Sequence, residues 1–337
     1  MDNSTTTYSE LHPSALGLRR LQERRGFFKL AGGAAAGAAG LAAFAGADRY
    51  GSLVAEADAQ TTAAPSDQDV LNFALNLEYL ESNYYSFAVT GASIPASSMT
   101  GTGKQGTVTG GPAVPFASPV IARLAAEIAK DENEHVAFLR GQLGAAAVAM
   151  PTLDLSVSPT SAFSMAAQSA GLIPAGTAFN PYASDENFLL GAYLLTDVGV
   201  SAYIGGSTLI TSKTYLQAAA GILATEAYHA SILRSSLYAL GIEGPTALGG
   251  NVAVAIDPFL ATSAISAARA KLDGTNSDDH GIGTAAAPTL ANADPNTSVC
   301  YGRTPQQVLN IVYLNAAAVS SGGFYPAGLN GNVVTSA

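Results

Sequence analysis

Cysteine is nearly absent from this chain. Cys300 is the only one in 337 residues, which excludes an internal disulfide and any multi-cysteine zinc or iron–sulfur site. Charge is scarce as well: 12% of residues are charged, about half the usual share of soluble proteins, while 48% are hydrophobic. That balance excludes an intrinsically disordered chain and provides ample material for a core. Basic runs are missing beyond the N-terminal segment, and the net charge is −10 with an isoelectric point near 4.7. Nucleic acid is therefore excluded as a natural partner. Histidine and glutamate are also rare, with three His and eight Glu downstream of residue 59.

Against that scarcity, two stretches stand out: Glu132-Asn133-Glu134-His135 and Glu226-Ala227-Tyr228-His229. Each reads Glu-x-x-His, a spacing that places both side chains on one helix face, a turn apart. A shift of 94 positions superposes Ile128 on Ile222, Glu132 on Glu226, His135 on His229, Leu139 on Leu233, Arg140 on Arg234 and Leu143 on Leu237. A lone histidine on an apolar face is usually a packing residue. Two of three histidines preceded by Glu at the same spacing, in a Glu-poor chain, point to one metal-binding helix used twice. A buried carboxylate also needs a partner, which a metal ion supplies.

The first segment carries Glu23-Arg24-Arg25-Gly26-Phe27-Phe28-Lys29, then an Ala/Gly-rich apolar run from Leu30 to Ala47. This resembles a twin-arginine export signal, too weakly apolar and too short for a spanning helix. Ala57-Asp58-Ala59 offers small residues where a signal peptidase reads, so residues 1–59 are expected to be removed, with an uncleaved anchor as the alternative. The segment has equal numbers of acidic and basic residues, so the mature chain keeps its −10. The resemblance implies passage through the twin-arginine machinery, as a folded protein, to the periplasm or the exterior.

Residues 60–65 read as a linker. Helix A is expected from about Asp67 to Val89, capped by Ser66, with Asp67 and Asp69 in its first turn. A long Gly/Ser/Thr/Pro-rich loop spans 91–117. Ser118-Pro119 opens helix B, which runs to about Leu143. Residues 145–183 show no sustained helical pattern and suit a crossover. Ser184 caps helix C, to about Ile204, and helix D runs from about Ser212 to Leu240. Asp257-Pro258 opens a fifth helix to about Leu272, and Thr304-Pro305 a sixth to about Ser320. The expected organisation is a bundle at 66–242 and a C-terminal extension at 243–337 whose two helices pack on it. The expected fold is all-α, an up-down-down-up four-helix bundle.

Helices A and C each offer a carboxylate. On C it is Asp197, alone in Leu194-Leu195-Thr196-Asp197-Val198-Gly199-Val200. On A there are two, Glu78 and Glu81. Aligning Glu78 with Asp197 also pairs Ser82 with Ser201 and Tyr84 with Tyr203, whereas Glu81 then faces Val200. This favours Glu78 and leaves Glu81 solvated or behind the ligands. Tyr84, Tyr85 and Tyr203 read as packing aromatics, a place behind the metal ligands or a redox relay being the alternatives. Arg140 and Arg234 read as surface or interhelix salt-bridge residues, and Asp278-Asp279-His280 as a solvated turn.

One carboxylate from each of two helices and Glu-x-x-His from each of two others is the ligand set of ferritin-like di-iron and di-manganese proteins. The chain resembles ferritin-like domain proteins over residues 66–242, and among them the secreted desiccation-related family. Arg303-Thr304-Pro305-Gln306-Gln307-Val308-Leu309, Gly322-Gly323-Phe324-Tyr325-Pro326 and Gly328-Leu329-Asn330-Gly331 are similar to that family's C-terminal segment. The resemblance implies two Fe or Mn ions, bridged by Glu132 and Glu226. It places Glu78 and Asp197 as terminal ligands on opposite ions, with His135 and His229 one per ion. Asp197 departs from the pattern, being one methylene shorter than the usual Glu. The implied chemistry is redox work on O2 or peroxide in stress protection. The alternative is a non-catalytic protective protein with structural metal or none. A homo-oligomer fits either reading; a closed iron-storing cage is the weaker expectation, because the Gly/Pro-rich insertions offer no evident symmetric interfaces.

Overall fold

The computed structural model describes residues 64–275 and 279–336. The expected export segment, residues 60–63 of the linker and Asp278 lie outside the described residues. Four long helices carry the architecture: α1 (Asp67–Thr90), α2 (Pro119–Leu143), α4 (Asp185–Ser207) and α5 (Lys213–Glu243). Each begins at the serine its sequence marks. Ser66 forms a capping box with Asp69, and Ser118, Ser184 and Ser212 accept from Ile121, Asn187 and Tyr215 backbone N–H groups. α1 ends where Gly91 turns left-handed at φ 72°.

The helix directions follow from cross-helix bonds. Along α1, Asn72 reaches Ala146, Tyr79 meets Arg140 and Ser82 meets Asn133, so α2 runs antiparallel to it. Tyr84 donates to the Phe188 carbonyl, Tyr85 bonds Thr196 and Tyr203 donates to Glu78, so α4 is antiparallel to α1 too. Contacts of Arg234 with Tyr193 and Asp197 near one end, and of α4 with Glu226 at Gly199, make α5 antiparallel to α4. The result is the up-down-down-up bundle. The α1–α2 and α4–α5 pairs are the most intimate, and α1 is buried over most of its circumference.

α4 is long and apolar enough to cross a membrane, but 78% of its most apolar window is buried inside the protein. Its charges are each engaged. Asp185 accepts from the Ala117 and Ser118 N–H groups just before α2, and Glu186 accepts from Ala255 and Ile256.

The crossover departs from expectation by containing a short helix, α3 (Ala162–Ser169), with Phe163, Ala166 and Ala167 buried. It also supplies β2 (Leu153–Asp154), which pairs in parallel with β1 (Val108–Thr109) and ties the crossover to the first long loop. α5 continues through Gly241 to Glu243. α6 (Pro258–Leu272) packs on α4 and α5, while β3 (Gly283–Thr284) and β4 (Ala287–Pro288) form a small hairpin. α7 (Pro305–Val312) is shorter than expected, because Leu314 turns left-handed at φ 55° and the Val312 carbonyl is taken by the Phe324 N–H.

The tail then returns across α1. Tyr325 donates to the Asn76 carbonyl at 2.9 Å, and Asn76 and Asn330 exchange side-chain and backbone bonds at 2.8 and 3.2 Å. At the other end of the extension, a Cβ on Gly205 would lie 1.8 Å from the Arg303 carbonyl oxygen. Only glycine lets the incoming strand lie directly on α4 there.

Candidate metal centre

The two Glu-x-x-His turns face each other across the bundle core. On α2 the buried stripe Ile121, Ile128, Glu132, His135, Leu139 points inward, and on α5 Ile222, Glu226, His229, Leu233 does the same. From α1, Glu78 and Glu81 enter the same space. Glu132 and Glu226 are wholly buried, Glu78 and Glu81 nearly so.

One ligand atom each from Glu78, Glu132, His135 and Glu226 fall within 4.8 Å of one another, close enough to share a metal ion. His135 Nδ1 lies 3.2 Å from Glu226 Oε1 and 3.3 Å from Glu78 Oε2, without hydrogen-bond geometry to either. His229 Nδ1 lies 3.1 Å from Glu132 Oε1 and 3.8 Å from Glu226 Oε1. Its other nitrogen, Nε2, contacts Asp131 Oδ2 at 3.2 Å. Both imidazoles thus present Nδ1 to the carboxylates, and their ring centres are 6.2 Å apart. Tyr203 donates its hydroxyl to Glu78 Oε1, fixing that carboxylate from behind.

Six buried atoms here have no hydrogen-bond partner: Glu78 Oε2, Glu81 Oε1, Glu132 Oε2, His135 Nδ1 and both Glu226 oxygens. Buried polar atoms are almost always satisfied, and so many orphans in one place describe a site built for a cation. Mixed carboxylate and imidazole donors suit Fe or Mn.

The electrostatics agree. Burial, with neighbouring carboxylates adding to it, pushes Glu132 and Glu226 each up to about 8. Glu81 is raised well above the usual carboxylate range by burial, then by Glu226, Glu132 and Glu78. Burial also pushes Glu78 upward, but His135 beside it outweighs that and holds it below the usual value. Burial disfavours a charged His135, yet Glu132, Glu226 and Glu78 around it prevail and raise it.

Asp197 is not brought to this cluster. Its Oδ2 accepts from Arg234 Nη1 at 2.7 Å and Arg269 Nη2 at 3.1 Å, on the far flank of α4. The expectation that it ligates a metal is corrected by this pairing: its charge is answered by two buried guanidinium groups. Arg234, expected to be a surface or interhelix residue, is a buried interhelix one; Arg140 bonds Tyr79 and the Thr100 carbonyl. Asp279 is equally far from a solvated turn, being buried between Arg269 and Arg303 at 2.8 Å each, with Asp273 bonding Arg303 at 2.6 Å. These arginines come from the fifth helix and the extension, with no spacing in the sequence to join them to Asp197. Of the two places expected for Glu81, solvated or behind the ligands, burial excludes the first. α1 is enclosed on nearly all sides, so both of its acids are buried. Tyr84 and Tyr85 pack with Phe163, Tyr182 and Phe188, as expected of packing aromatics.

Residues 66–239 match the ferritin-like domain model, just over half of the chain. The chain belongs to the ferritin-like domain family. It is similar to the desiccation-related protein PCC13-62 of Craterostigma plantagineum, at 30% identity over 270 residues, covering 77% of this chain and 82% of that protein. It is also similar to the ferritin-like catalase Nec2 of Nesocodon mauritianus, at 26% identity over 284 residues, covering 80% and 85%. In this ferritin-like chain the inward-facing carboxylates and imidazoles come from three of the four bundle helices.

Proposed function

We infer that this chain is an exported ferritin-like protein holding a carboxylate-bridged pair of Fe or Mn ions and using them on peroxide or O2 in stress protection. The observation that carries the reading is the set of six buried, unsatisfied donor atoms converging between Glu78, Glu81, Glu132, His135 and Glu226. The similarity to a protein named a ferritin-like catalase favours peroxide as the substrate.

Glu132 and Glu226, one from each side of the core, would be shared by the two ions. His135 and Glu78 would hold one ion and His229 the other. A bound pair of such ions supplies the two-electron exchange that peroxide disproportionation requires. The protein's own part is to hold donors in place and keep bulk water out. Tyr203 fixes Glu78 through its hydroxyl, and Asp131 fixes the His229 ring through Nε2. The apolar stripes of α2 and α5 enclose the donors, so that peroxide would meet the ions without competing solvent.

The similarity to a desiccation-related protein supports a second reading, in which the fold protects without turnover and metal is structural or absent. Protein purified from its native compartment decides between them. Metal analysis is expected to give about two Fe or Mn per chain, with oxygen release from added peroxide. Metal without peroxide consumption or O2 reduction favours the second reading, and absence of metal removes the first.

A further inference from the structure

The third bundle helix, α4, gives the metal centre no carboxylate or imidazole, only the Tyr203 hydroxyl behind Glu78. Its inward residue is Gly199, where a Cβ would lie 2.8 Å from Glu81 Oε2 and 3.5 Å from Glu226 Oε2. Asp197, two residues earlier, is held by Arg234 and Arg269. If α4 gave nothing and α1 gave only Glu78, the donors would be lopsided. The ion at His135 would have Glu78 beside the two bridging carboxylates, and the ion at His229 would have the bridges alone.

We propose that Glu81 replaces the carboxylate that α4 lacks, so that α1 supplies a terminal ligand to each ion, Glu78 beside His135 and Glu81 beside Glu226, for the ion that Glu78 does not serve. This rests on the dinuclear reading above and deepens it. Three observations converge. Glu81 is 4% exposed, and its Oε1 has no hydrogen-bond partner. Its Oε2 and a Glu226 oxygen flank the same point on the α4 backbone, a point that glycine leaves open. Charge also balances: Glu78, Glu81, Glu132 and Glu226 together oppose the four positive charges of two divalent ions. Three carboxylates would leave a net positive charge in a buried site, which is costly. The exchange is a steric one. Any side chain at 199 displaces Glu81, so the small residue on α4 and the second acid on α1 are one arrangement.

The test is metal stoichiometry and affinity after loading with Mn2+ or Fe2+ and desalting, compared between wild type, Glu81→Gln and Gly199→Ala. Wild type is expected to retain two ions per chain. Glu81→Gln is expected to retain one, or to bind the second at least tenfold more weakly, and Gly199→Ala to show the same loss. In chelator, Glu81→Gln is expected to melt no lower than wild type, because it removes a like charge from a crowded site. That separates loss of a ligand from loss of fold. A crystal structure of the loaded wild-type protein gives the direct answer whatever the variants do: a Glu81 oxygen about 2.0–2.2 Å from one ion, the usual metal–carboxylate distance. Glu81→Gln binding two ions with unchanged affinity, or a loaded structure with Glu81 bonded to neither ion, overturns the proposal while leaving the dinuclear site standing. A wild-type chain that holds no metal overturns both.

Discussion

Asp197 and Arg234 meet at 2.7 Å, both buried, with the carboxylate facing away from the Glu-His cluster. Arg269 joins the same oxygen from α6, and through Asp279 and Arg303 the chain of charges runs on to Asp273. This is a structural lock between the bundle and its extension. Replacing Asp197 with Ala leaves Arg234 buried without a carboxylate, while Arg269 keeps Asp279, and is expected to destabilise the fold by roughly 3–5 kcal/mol, the usual penalty for breaking a buried ion pair. Metal stoichiometry of the surviving folded protein should not change. Urea denaturation and metal analysis on the same sample check both halves. Loss of one ion with little loss of stability would restore Asp197 as a ligand.

The double variant His135→Ala with His229→Ala removes the only nitrogen donors of the cluster. It is expected to bring the metal content from near two per chain to well below one. It should also erase most of the difference in melting temperature between metal-loaded and chelated protein. For wild type at a hundred to a thousand times Kd, that difference reflects about 3–4 kcal/mol per site. Retention of two ions and of chelator sensitivity would refute the dinuclear assignment.

Metal-free protein should lose stability as pH rises from 5 to 8. Glu132 and Glu226 are held up to about 8 in the fold against an ordinary value of 4.5. Between those limits the folded state binds more protons than the unfolded state, so each unit of rising pH favours unfolding. His135, raised as well, acts in the same sense once pH passes its ordinary value of 6.5. Bound cations take over from the protons, so loaded protein should show a much flatter profile. Melting temperatures across that range, with and without chelator, measure this; a chelated protein that grows more stable toward pH 8 contradicts the electrostatics described.

Asp131, half-buried at the end of His229, is expected to act through that ring. Asp131→Asn should weaken the ion on the His229 side about 10–100-fold, as loss of a ligand's supporting carboxylate commonly does, and leave the other ion nearly untouched. Competition titration with a chelator of known affinity resolves the two sites.

Replacing Arg24 and Arg25 with Lys should hold the precursor in the cytoplasm. Cell fractionation reads this directly, and undiminished export would remove the twin-arginine assignment.

Much of the fold was legible in the sequence because its helices are signposted at their ends. Ser66, Ser118-Pro119, Ser184, Ser212, Asp257-Pro258 and Thr304-Pro305 are all N-terminal signals, and helices start at each. C-terminal ends were less so: Gly241 does not stop α5, and the stop of α7 depends on a tail residue that returns from later in the chain. At the centre, Glu132, His135, Glu226 and His229 could be read because spacing within one helix is a local property. The burial of Glu81 and the partners of Asp197 could not be read, because which side of a helix faces a site is decided by its neighbours. α1 and α4 are apolar or buried nearly all round, so neither carries a stripe that points. The arginines that claim Asp197 arrive from α5 and α6, and no periodicity announces a partner in another element.

The bonds between Asn76 and Asn330 join positions 254 residues apart. Asn76 is wholly buried, so its side-chain oxygen finds its partner only when Asn330 arrives, and its helical carbonyl then gains the Tyr325 hydroxyl as a second donor. At ordinary rates of synthesis, on the order of 5–20 residues per second, roughly 10–50 s separate the two ends of that contact. During that interval the ribosome holds a bundle whose innermost helix is still open along one side. A chain truncated before Tyr325 keeps every bundle helix yet leaves α1 unsealed at Asn76.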